Sequence, residues 1–239
     1  MTKVAHPYHH ALSSQKRFGG QVEDYLTVHR WFDATKAHIA DARHRLLRHQ
    51  SLGIFIAEQK FGVTITNSSQ NQIPIRPLAE QHVQEDFSFI PSVQQCFENL
   101  PLERWMLENY ECDTPSVHAR WSAKQFGGKT EDHLPIHQFL EDSRLHLSDA
   151  RHRVLLHTTL GVQTVEEVFG LELPTSDQTV PTRLIAETHI KADLGFIPTV
   201  EEALDSLPLE SWMFRGAQAL TRKLGRKMPS TRQKEDACG

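Results

Sequence analysis

An internal duplication constrains the fold of this chain more than any other feature of its sequence. The stretch 41–49, DARHRLLRH, returns at 149–157 as DARHRVLLH. Phe18-Gly19-Gly20 and Phe61-Gly62 recur at the same offset, and after the loss of one residue the stretch 75–106 matches 182–213. A unit of this length is a whole domain rather than a solenoid repeat. The sequence therefore predicts a first repeat over 1–107, a linker over 108–115, a second repeat over 116–213 and a basic C-terminal tail over 214–239.

The composition is typical of a globular protein and excludes several classes of partner. The 239 residues are 38% hydrophobic and 23% charged, and a net charge of -4 gives no general attraction to nucleic acid or to an anionic membrane. No apolar run is long enough to cross a bilayer, and residues 1–15 lack the apolar stretch of a secretory signal. Cys96, Cys112 and Cys238 neither recur between the repeats nor have a chelating spacing, so we expect free thiols and a cytoplasmic location.

Hydrophobic periodicity predicts a mainly α fold, in which two homologous helical domains with a small β-hairpin each are related by a pseudo-two-fold axis. For the first repeat we expect an irregular arm over 1–17, helices over 22–33, 34–60 and 77–87, a hairpin from 63–66 and 73–76, a short helix from Pro91 and a final turn ending at Met106. The second hairpin is expected to be degraded, because 171–174, LELP, lacks the β-branched run of the first.

Histidine is the residue type that the two copies share most consistently. Twelve of the fifteen histidines form six matched pairs: His10/His118, His29/His137, His38/His146, His44/His152, His49/His157 and His82/His189. Because the copies have diverged elsewhere, a residue type that both retain is one that their shared fold or site still uses. The pairs therefore predict a histidine-lined site in each repeat.

The spacing of these histidines requires ligands from several elements if the site holds a metal. On one continuous helix over 34–60, His44 and His49 would point roughly 140 degrees apart and could not chelate one ion alone. Imidazole and carboxylate together suit a divalent ion such as zinc, manganese or iron, which can activate a bound water. The candidate ligands are His10, His29, Asp33, His44, His49, His82 and Asp86 in the first repeat, and His118, His137, Glu141, His152, His157, His189 and Asp193 in the second.

Charged residues beside these histidines are candidates for orienting the imidazoles or a bound anion. They are Asp41, Arg45 and Glu80, with their counterparts Asp149, Arg153 and Glu187. Glu80 or Glu187 is also the expected partner of Arg43 or Arg151, whose charge would otherwise lie unpaired on the apolar side of the helix. The alternative interpretation is structural: buried histidines hydrogen-bonded to carboxylates, with Asp41 and Arg45 as an ordinary helical ion pair.

Each repeat resembles an uncharacterised domain family of bacteria and phages. The resemblance covers nearly all of each copy and is carried by the segments 16–20 (KRFGG), 41–45 (DARHR), 61–68 (FGVTITNS) and 80–82 (EQH), together with His49 and Trp105-Met106. Members are mostly single copies, so the resemblance implies a fused dimer, and it implies no activity. The second copy departs from the pattern at Glu141, Thr188 and Ala192, which predicts the weaker site there.

These observations favour a metal-dependent hydrolase of a phosphoester or nucleotide-like small molecule, in which Arg45 or Arg153 holds the anion. The alternative is a non-enzymatic binding or regulatory module with a structural histidine network, and further homo-oligomerisation stays open. Nucleic-acid binding is the third hypothesis and is restricted to the basic tail. Its candidate residues are Arg222, Lys223, Arg226 and Lys227.

Overall fold

A computed structural model describes residues 6–110 and 114–214, and these residues form two mainly helical repeats. Each repeat contains six α-helices and one two-stranded antiparallel sheet. The elements of the first repeat are α1 (Pro7–Phe18), α2 (Glu23–Asp33), α3 (His44–Arg48), α4 (Ser51–Phe61), β1 (Thr64–Thr66), β2 (Gln72–Pro74), α5 (Ile75–Phe87) and α6 (Val93–Phe97).

The second repeat has the same order of elements. They are α7 (Pro115–Phe126), α8 (Thr130–Glu141), α9 (Arg153–Leu156), α10 (Thr159–Phe169), β3 (Glu172–Pro174), β4 (Thr179–Pro181), α11 (Thr182–Leu194) and α12 (Val200–Leu204). Short 3₁₀ turns follow α2 and α8, and each repeat ends in one, at Arg104–Leu107 and Ser211–Phe214. The predicted fold class, two homologous helical units with a small hairpin each, is confirmed.

The long helix predicted over 34–60 is wrong, because the chain turns twice within it. The carboxylate of Asp41 accepts a hydrogen bond from the backbone N–H of Arg43 at 2.9 Å, a local turn that competes with a helix. Gln50 then adopts an extended conformation, and its side chain caps α4 by accepting from the N–H groups of Leu52 and Gly53. The break places His49 between two helices rather than on a helix face.

A glycine at the start of α4 allows this second turn to be tight. A Cβ atom on Gly53 would lie 1.9 Å from the carbonyl oxygen of Arg48, so any other residue would push α3 and α4 apart. Gly161 has the same 1.9 Å approach to the carbonyl oxygen of Leu156 in the second repeat. The recurrence of this glycine therefore reflects packing of the helix ends.

Two further predictions about local structure are wrong. The segment expected to be an irregular arm contains α1, which begins with Pro7 in the first turn and is capped by the side chain of His6. The second hairpin is intact, with Leu173 paired to Val180 in the same three-residue register as the first. Thr175 replaces the lost turn residues, because its hydroxyl accepts from the backbone N–H of Gln178 at 3.2 Å.

The buried apolar side chains of both repeats belong to one continuous hydrophobic cluster, and α4 packs against α10 at the boundary between the repeats. A polar group crosses the same boundary. The guanidinium of Arg48 lies over the ring of Trp31 and donates to Glu167 of the second repeat at 3.0 Å. The equivalent position to Arg48 is Leu156, so this contact occurs once.

Arg43 and Arg151 reach from each repeat to the other. Arg43 donates three side-chain hydrogen bonds to Asp41, and Arg151 donates three to Asp149, at 2.6–3.1 Å. Arg43 Nη1 donates to carbonyl oxygens at the C-terminal end of α12, and Arg151 Nη1 donates to those at the C-terminal end of α6. The expected pairing of these arginines with Glu80 and Glu187 is therefore wrong, since Asp41 and Asp149 are their counter-ions.

Within residues 6–110 and 114–214, no helix has both the length and the apolar character that a membrane crossing requires. Cys96 is buried and free. Cys112, Cys238 and the tail arginines and lysines proposed for nucleic acid lie outside the described residues.

Candidate metal centres

Two histidines and two carboxylates converge at the centre of the first repeat. Asp33 ends α2, His49 follows α3, and His82 and Asp86 lie one turn apart on α5. Their ligand atoms lie within 4.8 Å of one another, and all four residues are buried. His49 Nε2 is 3.0 Å from His82 Nε2, 3.1 Å from Asp86 Oδ2 and 3.9 Å from Asp33 Oδ1. We call this set the first centre.

The equivalent set in the second repeat is more regular. The second centre consists of Glu141, His157, His189 and Asp193. His157 Nε2 lies 3.2 Å from His189 Nε2, 3.1 Å from Asp193 Oδ2 and 3.3 Å from Glu141 Oε1. His189 Nε2 is 3.5 Å from Asp193 Oδ2 and 3.4 Å from Glu141 Oε1. Glu141 was the departure that predicted a weaker site, yet its longer side chain places an oxygen near both imidazoles.

These separations match the spacing of atoms around one small cation. Zinc binds imidazole nitrogen and carboxylate oxygen at about 2.0–2.1 Å, so the corners of a tetrahedron around it are about 3.3 Å apart. The distances from His157 and His189 in the second centre range from 3.1 to 3.5 Å. Manganese and iron accept the same donors.

A hydrogen-bonded relay behind His82 fixes which of its nitrogens is free. The hydroxyl of Ser14 donates to the carbonyl of His10 at 3.0 Å, so it accepts from His29 Nε2 at 2.8 Å. His29 Nδ1 must then accept from His82 Nδ1, 3.0 Å away. His82 Nε2 therefore carries no proton and presents its lone pair to the first centre. His29 supports a ligand and is not one itself.

The second repeat brings the same side chains into contact. Ser122 Oγ is 2.8 Å from His137 Nε2, and His137 Nδ1 is 2.9 Å from His189 Nδ1. Burial lowers the pKa of His137 to about 2 and that of His189 to about 4, and it lowers the pKa of His29 to about 3. These low pKa values keep the imidazoles neutral, which is the form that can bind a metal.

Neighbouring groups hold Asp86 of the first centre and Glu141 and Asp193 of the second centre ionised. Burial alone would raise the pKa of Asp86, but hydrogen bonding to His10 and His49 and the charge of Arg45 keep it well below its ordinary value. Burial likewise opposes ionisation of Asp193 and Glu141, and their histidine neighbours outweigh it. Two negative charges in a buried site favour a divalent cation.

His10 and His118 contact the outer oxygen of a ligand carboxylate. His10 Nε2 lies 3.4 Å from Asp86 Oδ1, and His118 Nε2 lies 3.1 Å from Asp193 Oδ1. His10 also bonds Glu85, and although burial opposes its charge, the carboxylates of Asp86 and Glu85 raise its pKa to about 9. These histidines therefore orient the carboxylates and do not complete the ligand set.

Arg45 and Arg153 lie against the centres but are not placed to hold a substrate anion. Arg45 Nε is 3.7 Å from Asp86 Oδ2, and Arg153 Nη2 is 3.6 Å from Asp193 Oδ2. Arg45 Nη1 donates to the carbonyl of Met213, and Arg153 Nη1 donates to that of Met106, so each joins its centre to the opposite repeat. Both side chains are buried.

The other predicted site residues are not members of either centre. His44 Nδ1 is 3.3 Å from the hydroxyl of Thr35, and His152 Nδ1 is 3.1 Å from that of Ser143. Their rings pack edge-on against His49 and His157, with ring centroids 5.9 and 5.5 Å apart. The carboxylates proposed to orient imidazoles have other partners: Asp41 binds Arg43, Asp149 binds Arg151, Glu187 binds Lys191 and Arg183, and Glu80 lies near Arg76.

Two kinds of functional residue were missed in the sequence. Ser14 and Ser122 end the relays, and a signal was available because they occupy equivalent positions in the two repeats. Thr35 and Ser143 likewise keep a hydroxyl at equivalent positions. Hydroxyl residues are common on helices, so their recurrence was less visible than that of histidine.

A cavity of about 590 Å³ opens beside the second centre. Phe139 and Phe169 supply part of its apolar wall, and Gln59 of the first repeat also lines it. Glu141 is on the wall as well, so one carboxylate takes part in both the cavity and the second centre. Arg144, which lies 3.8 Å from Glu141, is the cation nearest to that carboxylate on the wall.

One family model matches the chain twice, over residues 5–106 and over residues 113–213, and its description is Domain of unknown function (DUF6915). No curated protein and no solved structure matches the chain.

Proposed function

The chain belongs to this family through two tandem copies, and we propose that each copy is a metal-binding domain that holds one divalent ion. The observation that carries the proposal is the convergence of two imidazole nitrogens and two carboxylates in each repeat, at separations of 3.1–3.5 Å in the second centre. Asp33, His49, His82 and Asp86 would hold one ion. Glu141, His157, His189 and Asp193 would hold the other.

Burial of the centres favours an ion that stabilises the fold. His49, His82, His157 and His189 are each 0% exposed, so water reaches these nitrogens poorly. Closed sites with four protein ligands are typical of structural zinc, and their binding energy adds to the stability of the fold. Cys96 is a buried free thiol, which fits the reducing, cytoplasmic location that we propose with this function.

Metal stoichiometry tests the proposal directly. Protein expressed without added metal and passed through a desalting column is expected to carry two equivalents of zinc, manganese or iron per chain by elemental analysis. His82→Gln and His189→Gln should each reduce the content to one equivalent, and the double variant should carry none. His9→Gln is the matched control, since His9 is exposed on α1. Chains that bind no ion, or that keep two in His82→Gln, would contradict the proposal.

One observation favours a second function, hydrolysis of a phosphoester or nucleotide-like substrate at the second centre. Glu141 lies on the wall of the cavity of about 590 Å³, whereas the first centre has four fully enclosed residues. A bound divalent ion would lower the pKa of a coordinated water, which supplies the nucleophile for such a reaction. Arg144 on the cavity wall, rather than Arg45 or Arg153, is the cation placed to meet a phosphate.

The model substrate bis(4-nitrophenyl) phosphate distinguishes the two functions. Turnover by metal-loaded protein that is lost in His189→Gln and kept in His82→Gln would support hydrolysis at the second centre. Absence of turnover in a chain that carries two ions leaves a non-enzymatic metal-binding module as the function. Nitrophenolate release is followed by absorbance.

A further inference from the structure

Each candidate metal centre is supported by a chain segment from the opposite repeat. The first crossing segment, 104–110, runs from the end of the first repeat into the linker. The second crossing segment, 211–214, lies at the end of the second repeat. The second crossing segment accepts a hydrogen bond from Arg45 through the carbonyl of Met213 at 3.0 Å. The first accepts from Arg153 through the carbonyls of Met106 and Glu108, at 2.9 and 2.5 Å.

Aromatic contacts reinforce both crossings. Trp212 packs on Phe87 of the first repeat with ring centroids 5.4 Å apart, and Phe87 in turn lies under the guanidinium of Arg45 and beside the ring of His49. In the other direction, Tyr110 lies 5.2 Å from the guanidinium of Arg153, and its hydroxyl donates to the carbonyl of Ser148 at 2.8 Å. Each crossing segment therefore reaches an arginine that touches a candidate ligand.

The short helix that precedes each ligand histidine depends on these contacts. α3 has five residues, which is too few for a helix that is stable by itself, and His49 follows it directly. Arg43, before α3, is anchored to carbonyl oxygens at the C-terminal end of α12, and Arg45, within α3, to Met213. These carbonyls lack partners inside their own helix, so the guanidinium groups satisfy them. Without the opposite repeat, little would fix the position of His49.

Charge also links each centre to the opposite crossing segment, through Arg45 in the first repeat and Arg153 in the second. Arg45 is one of the cations beside the ionised Asp86, with 3.7 Å between Nε and Oδ2, and Arg153 Nη2 lies 3.6 Å from Asp193 Oδ2. Hydrogen bonds help to hold a buried arginine in position, and the opposite crossing segment supplies the acceptors for Nη1 of Arg45 and Nη1 of Arg153. If that segment moves, the arginine, the carboxylate and the adjacent histidine lose their shared geometry.

The geometry points to a crossed dependence: the second crossing segment positions the ligands of the first centre, and the first crossing segment positions those of the second. Trp212 and Tyr110 are positioning residues that touch no candidate ligand and act through Arg45 and Arg153. The inference rests on the proposed function, because it concerns the affinity of the same two centres. It adds that neither repeat holds its ion independently of the other.

Cobalt(II) titration of full-length variants tests the dependence one centre at a time, since the visible absorption of cobalt reports its coordination. His189→Gln leaves the first centre alone, and His82→Gln leaves the second. In the His189→Gln chain, Trp212→Ala is expected to weaken cobalt binding about tenfold or more, and Tyr110→Ala is expected to have little effect. In the His82→Gln chain the two substitutions should exchange their effects. Trp212→Phe should restore most of the affinity, because a ring still packs on Phe87.

The outcomes separate the inference from the proposed function. A wild-type chain that binds no cobalt overturns both. A wild-type chain that binds two ions, with alanine effects that are absent or equal in the two backgrounds, overturns only the crossed dependence. Circular dichroism checks that each variant is folded, and for an alanine variant that unfolds, Trp212→Leu and Tyr110→Leu provide the same crossed comparison, because leucine fills space but supplies no ring.

Discussion

At the scale of single residues, the main feature is a second imidazole behind His82 and another behind His189. His29 Nδ1 accepts a hydrogen bond from Nδ1–H of His82, and His29 Nε2–H donates to the hydroxyl of Ser14. The hydroxyl of Ser14 therefore determines the tautomer of His82 through His29. Metal-ligating histidines commonly need such a partner to fix ring orientation. Both repeats keep these contacts, which explains why the His29/His137 pair recurs although neither residue belongs to a candidate centre.

Replacing the relay histidine should weaken metal binding without removing a ligand. We expect His29→Gln to lower the affinity of the first centre about tenfold to a hundredfold, because His82 would lose the acceptor that fixes its tautomer. Isothermal titration with zinc measures the effect. His9→Gln, on the exposed side of α1, should leave the affinity unchanged, and an equal affinity for both variants would refute the relay.

Acid should destabilise the metal-free fold through its buried neutral histidines. Burial lowers the pKa of His44 to about 2 in the folded chain, against about 6.5 in the unfolded chain. Below pH 6.5 the unfolded chain therefore binds a proton that the folded chain rejects, and stability falls as the pH falls. His44 alone should contribute a slope of about 1.4 kcal/mol per pH unit.

The slope is measurable by urea unfolding in chelator at pH 7, 6 and 5. His44→Gln should reduce the pH dependence by about one proton, since glutamine keeps a hydrogen-bonding group but does not titrate. His9→Gln serves as the control, because His9 is exposed on α1. A slope that is the same in both variants would show that His44 is not buried in its neutral form.

At the scale of elements, the turn between α3 and α4 decides where His49 points. Gly53 lets the end of α3 approach the first turn of α4, and Gln50 caps that turn with its side chain. The equivalent Gly161 lies against the carbonyl of Leu156 in the second repeat, although Thr158 replaces the glutamine. The close approach of the helices is thus shared by both repeats, whereas the capping group differs.

Gly53→Ala should be strongly destabilising even though alanine favours helices. Its Cβ would lie 1.9 Å from a backbone oxygen, which cannot rotate away as a side chain could. We expect a loss of about 3 kcal/mol in the free energy of unfolding, measured by urea titration. Ser51→Ala, two residues earlier in the same helical turn, should change stability far less. Equal stability of the two variants would show that α3 and α4 are free to separate.

At the scale of the whole molecule, the two repeats are similar in fold but their boundary is asymmetric. Arg48, Trp31 and Glu167 form one buried polar contact across it, and the equivalent positions hold Leu156, Phe139 and Gln59. A perfectly symmetric pair of chains could not have this arrangement only once. The tandem chain has therefore gained a contact that distinguishes its first repeat from its second.

Removing the charge of Glu167 should destabilise the boundary. Glu167→Gln would leave the buried Arg48 without its counter-ion, a change that costs about 3 kcal/mol or more in comparable buried pairs. Glu58→Gln makes the same chemical change opposite the exposed Arg76, where solvent already screens the pair, and should have a much smaller effect. Thermal unfolding measures the melting temperature of each variant. Similar melting temperatures for Glu167→Gln and Glu58→Gln would indicate that water reaches Arg48.

The sequence alone determined the features that depend on residue type. Duplication predicted two similar repeats, β-branched residues predicted the first hairpin, and the recurring His49, His82 and Asp86 identified three of the residues in the first centre. Side-chain identity carries these features, so they can be read before the fold is known. The helix assumed over 34–60 was wrong because the turn at Asp41 and the cap at Gln50 use residues that also occur within helices.

Only the tertiary structure decided which histidines face a centre and which stand behind one. His29 and His82 are both buried histidines on helices, and nothing in their local sequence separates a ligand from its support. The partners of Arg43, Arg45, Arg151 and Arg153 were beyond prediction for a different reason. They are backbone carbonyls of the opposite repeat, and a carbonyl oxygen has the same chemistry in every residue, so only the folded geometry selects it.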